Sequence, residues 1–467
     1  MRDSSQHLKR MRRDIMGLGQ SVLTGSGRRR PYVFLDNAAS TPALKPVWEE
    51  TGRFLNWYSG VHRGTGIKSL VSSRVYDECH RIVAGFVGAD PEQESVIIVK
   101  NTTEAINKLA FRMQFQPGDV VVATAMEHHS NDLPWRTRAR VTYARVDEKG
   151  QLDLKDLREK LRRNYPRVKL VTVCGASNVT GHVNDIHHIA ALAHEYRAMI
   201  MVDGAQLVPH QPVKVMKRNH PGHIDFLVFS GHKIYAPFGS GVIIGPVEFF
   251  SRGAPDQPGG GTVNMVTRRE IIWADPPDRD EAGSPNVIGA FALARSLDYL
   301  EKLGREDLAR YEESLTSYAI KELNKVTGLK VYGGSSRVGV ITFNLAGISH
   351  ALVGAVLCYE AGIGIRTGCF CAQSYVRQLM GEDEPEYADM KRWEHEPMPG
   401  MVRISLGAYN TREEIDYLVE WLQRIAAHSG EFGARYHFCP AQAAFLPHEA
   451  GWEGNLHRTV QSLLRQE

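Results

Sequence analysis

Four short stretches of this chain carry residue types that do chemistry. The first is Ser230-Gly231-His232-Lys233. A lysine amine attacks carbonyl groups to form a Schiff base, and burial supplies the free amine by depressing its pKa. A small Ser-Gly pair in front of it lets the backbone approach a ligand closely. The same four residues also suit an ordinary surface turn. The second stretch is Val202-Asp203-Gly204-Ala205-Gln206, which places an aspartate 30 residues before the lysine. By itself Asp203 reads equally well as a helix N-cap. The third is Asn101-Thr102-Thr103-Glu104, whose hydroxyls and free N–H groups at a helix start suit a phosphate. The alternative is a capping box with no ligand. The fourth is Met126-Glu127-His128-His129, where a histidine can stack on a ring and transfer protons, or simply be structural.

Each stretch follows a run that reads as a buried strand. Residues 96–100, 120–124, 170–174, 199–203 and 226–230 are near-continuously apolar, as strands covered on both faces must be. Helical periodicity separates them, for example over 156–163 and 185–197. This alternation predicts βαβ units and a mostly parallel sheet, whose ligands lie beyond the carboxyl ends of the strands. Asp203 and Lys233 thus each close a strand. That pairing matches what pyridoxal phosphate (PLP) needs: an amine for its aldehyde and an acid for its ring nitrogen.

Beyond residue 286 the pattern changes. Residues 286–304 read as one long helix stopped by Gly304. From 329 to 422 the order is α+β, with strands expected at 340–345 and 401–406 and helices at 351–361 and 412–425. Residues 381–400, rich in Glu, Asp, Pro and Met, read as a surface excursion or lid. One further helix is expected at 456–465. The expected organisation is a basic, flexible N-terminal tail at 1–30, a large PLP-binding domain at 31–300, a small α+β domain at 301–430 carrying Cys371, and an appendage at 431–467.

Length and composition agree with this. A chain of 467 residues, 43% hydrophobic and 23% charged, is neither disordered nor a disulfide scaffold. A net charge of +3 argues for neither nucleic acid nor a membrane as partner. No apolar run approaches the ~18 residues of a spanning helix. The basic excess at 1–30 reads as a solvated tail, with a transit peptide or acidic-partner site as the alternatives. Six cysteines fit free thiols in a reducing cytoplasm. Cys369 and Cys371 lack a companion C-x-x-C or histidine pair, so no metal site is expected.

The ordered motifs carry a resemblance. VHRG at 61–64, TTEAIN at 102–107, EHHSNDLPW at 127–135, SNVTG at 177–181, VDGAQ at 202–206, SGHKIYAPFGSG at 230–241 and EAGSPN at 281–286 stand between FLDNAA at 34–39 and RISL at 403–406. Together they resemble the class V aminotransferase group of PLP-dependent enzymes, in its Suf-type cysteine desulfurase and selenocysteine lyase branch. The resemblance implies fold type I of the PLP-dependent transferases, with a large α/β domain on a seven-stranded, mostly parallel sheet and a smaller α+β domain. It implies Lys233 as the Schiff-base lysine, Asp203 at the ring nitrogen, Gln206 at the phenolic oxygen and His128 stacked on the ring. Thr103, Ser230 and His232 would hold the phosphate, with Ser284 entering from the second subunit of a homodimer. Asn178, Arg403, Arg366 and His62 would contact the substrate. In R-T-G-C-F-C-A, residues 366–372, Cys371 takes the position of the persulfide nucleophile, and Phe370 replaces the histidine usual before it. The function implied is sulfur mobilisation from L-cysteine, with release of L-alanine and passage of sulfur to an acceptor protein. A C–S β-lyase, selenocysteine lyase, epimerase or aminotransferase on the same frame, and an inactive scaffold for a sulfur carrier, are the rival readings.

Overall fold

Mostly buried apolar runs give the central sheet of the computed structural model, which describes residues 2–25, 27–62, 64–383, 393, 396–448 and 451–465. Its strands are β1 (Glu94–Val99), β2 (Val120–Thr124), β3 (Arg140–Ala144), β4 (Val168–Cys174), β5 (Met199–Asp203), β6 (Phe226–Ser230) and β7 (Gly241–Pro246). The spatial order is β1-β7-β6-β5-β4-β2-β3. Every neighbouring pair is parallel except those made by β7, which runs antiparallel to both β1 and β6. Two strands were not expected. β3 is an edge strand that begins on exposed Arg140, and β7 is interrupted by glycines, so neither shows a clean apolar run.

The helices are α1 (Arg2–Asp14), α2 (Ile67–Val87), α3 (Thr102–Arg112), α4 (Leu154–Asn164), α5 (Ile186–Glu195), α6 (Val287–Leu303) and α7 (Arg305–Leu323). Local chemistry sets their ends. Asn101 caps α3 by accepting the Glu104 N–H at 2.9 Å, and Asp153 and Asp185 cap α4 and α5 in the same way. Gly304, at φ 85°, ends α6 as expected. α1 corrects the expectation of a flexible tail. Met11 and Ile15 are buried in the main apolar cluster with Leu8 against it, and Arg12 donates to the Tyr409 carbonyl at 2.9 Å and pairs with Glu414 at 2.8 Å. Spacings of three and four put these apolar side chains on one helix face, a periodicity hidden within a polar, basic run.

A second sheet comprises β8 (Leu329–Tyr332), β9 (Val340–Leu345), β10 (Arg366–Gly368) and β11 (Met401–Ser405), all antiparallel, in the order β8-β9-β11-β10. It packs with α7 and with α9 (Arg412–Ala427), which starts on a Thr411/Glu414 capping box. Its apolar cluster is separate from that of the large sheet, yet it includes Val33 and Leu35 from the start of the chain. Val33–Phe34 pairs in parallel with Ile363–Gly364, so residues near 36 come to lie beside β10 and β11. Helix α8 (Gln373–Met380) follows the Cys371 turn, and α10 (Gly451–Leu464) buries none of its residues. Most of the expected excursion at 381–400, residues 384–392 and 394–395, lies outside the described residues, as does Arg63 of the VHRG motif. Among the described residues no helix is long and apolar enough to cross a membrane.

Candidate active site

The carboxyl ends of β1, β2, β4, β5 and β6 open onto one cavity of about 350 Å³. Eleven of the thirteen expected site residues line it: Thr103, His128, Asn178, Asp203, Gln206, Ser230, His232, Lys233, Arg366, Cys371 and Arg403. His62 and Ser284 do not. Both are exposed, His62 with its ring edge-on to Tyr76 at 5.7 Å. Glu281, three residues before Ser284, accepts from Tyr76 Oη at 2.5 Å and bonds His80 Nε2 at 3.0 Å. His62 thus reaches this buried anchor through Tyr76, and Ser284 follows the anchor in sequence.

One end of the cavity is built from the N-terminus of α3. Ser230 Oγ accepts the Thr102 N–H at 2.8 Å, and Thr103 Oγ1 bonds Ser130 Oγ at 2.7 Å. N–H groups at a helix N-terminus, hydroxyls and His232 together suit a phosphate. On the other side, Asp203 Oδ1 accepts from the Ala205 N–H at 2.9 Å. Burial raises the Asp203 carboxyl above its ordinary range, against that hydrogen bond and the Lys233 charge. Lys233 sits in the tight turn after β6 (Gly231–Lys233). Its surface is cavity wall; burial pushes its amine down, Asp203 opposes this and the Arg403 charge adds to it. A lysine so shifted is closer to the free base that attacks carbonyls.

The two histidines are held neutral. Burial, followed by the Lys233 charge, pushes His128 down to about 3 and His232 to about 4. The Ser130 N–H donates to His128 Nδ1 at 3.1 Å, which leaves the ring proton on Nε2. At the opposite side, Arg403 and Arg366 stand directly across from each other on β11 and β10. Like charges so placed repel, and Asp36 separates them, with Oδ2 at 2.7 Å from Arg366 and Oδ1 at 3.2 Å from Arg403. Burial lowers the Arg403 guanidinium to about 10, so it remains a cation at neutral pH.

Cofactor fit rests on what the cavity leaves unsatisfied. Gln206 Nε2 donates to the Ala38 carbonyl at 2.7 Å, while its Oε1 is buried without a hydrogen-bond partner. A buried polar atom of this kind calls for a ligand atom. An amine, a carboxylate and a phosphate-type pocket around one cavity match PLP, and the free Gln206 Oε1 can accept from its phenolic hydroxyl. Asp36 is the site residue that the sequence alone does not disclose in its role between the two arginines. Asp36 lies inside FLDNAA, but only the pairing of Val33–Phe34 with Ile363–Gly364 reveals its partners.

A βαβ frame whose strand ends bring a lysine, an aspartate and a phosphate pocket together defines a PLP-type site on the fold type I architecture. The chain belongs to the class V aminotransferase family: a profile of that family, described as Aminotransferase class-V, matches residues 33–418. Among its relatives, a cysteine desulfurase of Pectobacterium atrosepticum is 39% identical over 432 residues, covering 90% of this chain and 98% of the relative. A cysteine desulfurase of Haloferax volcanii is 35% identical over 401 residues, covering 84% and 88%. Of solved structures, an apo cysteine desulfurase from Thermococcus onnurineus superposes with a TM-score of 0.77 at 31% identity, over 90% of this chain and 98% of that one. The cysteine desulfurase CsdA of Escherichia coli, in an S-sulfonic acid form, gives 0.76 at 28%, over 89% and 98%.

Proposed function

We propose that this enzyme is a PLP-dependent L-cysteine desulfurase that takes sulfur onto Cys371 as a persulfide and releases L-alanine. The observation that carries the reading is the exposed Cys371 thiol lining the same cavity as Lys233 and Arg403. Thr103, Ser230 and His232 would hold the cofactor's phosphate, Asp203 its ring nitrogen and Gln206 its phenolic oxygen. His128 and Asn178 would lie against the ring, and Lys233 would bind the aldehyde. Once bound, PLP supplies an electron sink for the amino acid's α-carbon.

The chain's own groups do the rest. Arg403, supported by Arg366, seats the α-carboxylate. The Cys371 thiolate attacks the substrate sulfur. The S–S bond forms as the C–S bond breaks, and the electron pair left on carbon takes up a proton, giving alanine and the persulfide. Lys233 and neutral His128, with its proton on Nε2, are placed to hold and deliver protons there. The persulfide then passes to a thiol acceptor protein, which the exposure of Cys371 permits. The working form is a homodimer in which Ser284 and His62 complete the neighbour's site. The chain divides near residue 300 into a large and a small domain, in line with the separate main apolar clusters of its two larger sheets. Its six free cysteines support a cytoplasmic location.

Product analysis tests the reading. L-cysteine should give alanine, with an added sulfur on the Cys371 peptide by mass spectrometry. Cys371→Ser should keep the cofactor's absorbance, because other residues hold the ring, yet lose alanine formation. Pyruvate and free sulfide from the unmodified enzyme, or alanine at the full rate from Cys371→Ser, would sink the desulfurase in favour of a β-lyase.

A further inference from the structure

The turn that carries the thiol is held in an unusual backbone conformation. Phe370 and Cys371, consecutive and neither of them glycine, have φ of 53° and 55°. L-residues rarely adopt that left-handed region, and it persists only where the surroundings over-determine it. The Ala372 N–H closes the turn on the Cys369 carbonyl at 2.9 Å. From outside, the His129 N–H donates to the Cys371 carbonyl at 2.7 Å, and Asn178 Nδ2 donates to the Phe370 carbonyl at 2.7 Å.

The third restraint is the Phe370 ring. It is buried, and the Arg403 guanidinium lies over its face at 4.8 Å from the centroid. Arg403 Nη1 also donates to the Asn178 carbonyl at 3.0 Å. Phe370, Asn178 and Arg403 thus form a closed ring of contacts, with Asp36 holding Arg403 from outside at 3.2 Å. Arg403 Nε is buried with no hydrogen-bond partner, so the Phe370 face is a substantial part of what fixes the guanidinium.

We propose that Phe370 is a positioning residue that, by stacking on Arg403, locks the carboxylate-binding arginine and the Cys371 turn into one unit. The amino acid then seats its carboxylate only where the thiol is already presented to its sulfur. A phenylalanine carries no proton, so its contribution is geometric and quadrupolar. This rests on the desulfurase reading for the role of Cys371, whereas the link between Phe370 and Arg403 stands on the contacts alone.

The test uses the cofactor-loaded enzyme with Phe370→Leu, Phe370→Ala and Phe370→Tyr. Binding of L-alanine, which needs the carboxylate site but no sulfur chemistry, is read from the change in cofactor absorbance. A desolvated cation–π contact predicts about three- to thirtyfold weaker alanine binding in the Leu and Ala variants. KM for L-cysteine should rise in step and kcat for alanine formation should fall, because both ends of the unit loosen. Phe370→Tyr, which keeps the ring face, should restore both. Unaltered cofactor absorbance and melting temperature show that each variant is folded. Alanine binding unchanged in Phe370→Leu, or kcat lowered with alanine affinity intact, would overturn the coupling. Pyruvate in place of alanine from the unsubstituted enzyme would instead strike the desulfurase reading and leave the binding comparison to decide the clamp.

Discussion

A guanidinium that reaches a substrate carboxylate must be a cation and must be aimed. Arg403 meets both conditions: burial leaves it charged at neutral pH, and Asp36, the Asn178 carbonyl and the Phe370 ring aim it. Hydrogen bonds to charged groups contribute about 1.5–3 kcal/mol, so Arg403→Ala should raise KM for L-cysteine roughly ten- to hundredfold. Cofactor affinity should change less, because the proposed phosphate contacts of Thr103, Ser230 and His232 lie on other elements. An unchanged KM in steady-state kinetics would remove Arg403 from the carboxylate site. The two cavity histidines give a pH prediction. Their folded values, about 3 for His128 and about 4 for His232, lie below the ~6.5 of an unfolded histidine. Between those limits the unfolded chain binds more protons, so stability is lost as pH falls from 6.5 toward 4 and below. The melting temperature of cofactor-stripped protein should fall across that window, and His128→Gln and His232→Gln should each flatten the fall. An identical slope in both variants would mean that the imidazoles are not held neutral.

At the level of elements, the cavity depends on how closely β7 approaches the start of α3. A Cβ on Gly241 would stand 2.7 Å from Cα of Asn101, the residue that caps α3. The added Cβ would meet only backbone atoms, with no flexible side chain to give way. Gly241→Ala should therefore push α3 from the phosphate end of the cavity, costing about 1–3 kcal/mol as overpacking does. The measurable results are a lower melting temperature and weaker PLP binding by absorbance titration; unchanged binding would show that α3 does not hold the phosphate. Elements also decide how much the sequence discloses. Strands β2, β4, β5 and β6 are legible because burial on both faces makes them unbroken apolar runs, and the residues that follow them are the site. β7 is not legible, since Gly241, which lets it pack on Asn101, and Gly245, which lies against Phe226, break its apolar pattern. Lys233 and Asp203 could be paired from strand ends alone. Cys371 was found through motif resemblance, because nothing in its spacing connects it to Lys233. The contact of Asp36 with Arg403 joins residues 367 apart in sequence, and no local signal encodes it.

Over the whole molecule, two features bear on the proposed homodimer. His62 and Ser284 stand outside the cavity, and a set of large apolar side chains lies exposed near them in sequence. Trp48, Leu55, Trp57, Tyr58, Ile67 and Leu70 flank His62, and the hairpin of Val263–Val266 and Ile271–Trp273, with Met265, Val266, Ile271 and Ile272 exposed, precedes Ser284. Contiguous exposed apolar surface marks an interface, and we propose that these side chains contribute to one. A twofold dimer would cover it with the same surface of a second copy and carry both residues toward the neighbouring cavity. If Ser284 serves the other subunit's site, each cavity draws on two chains, and complementation between defective chains becomes possible. Lys233→Ala destroys a chain's own cavity; Ser284→Arg blocks the cavity of its neighbour. Each variant alone should be inactive. In a hybrid dimer, the cavity formed by the Ser284→Arg chain has an intact Lys233 and receives an intact Ser284 from the Lys233→Ala chain, while the other cavity carries both defects. With half the dimers hybrid and one working cavity in each, co-refolding equal amounts should recover about a quarter of the unsubstituted enzyme's alanine production. Recovery at that level, with a sedimentation mass of two chains, is the expected result. If Ser284 instead served its own chain's cavity, every cavity in the mixture would hold one defect or the other and the activity would stay at zero. Likewise, Trp57→Arg that sediments as a monomer yet binds PLP and makes alanine at the full rate would show each cavity to be complete within one chain.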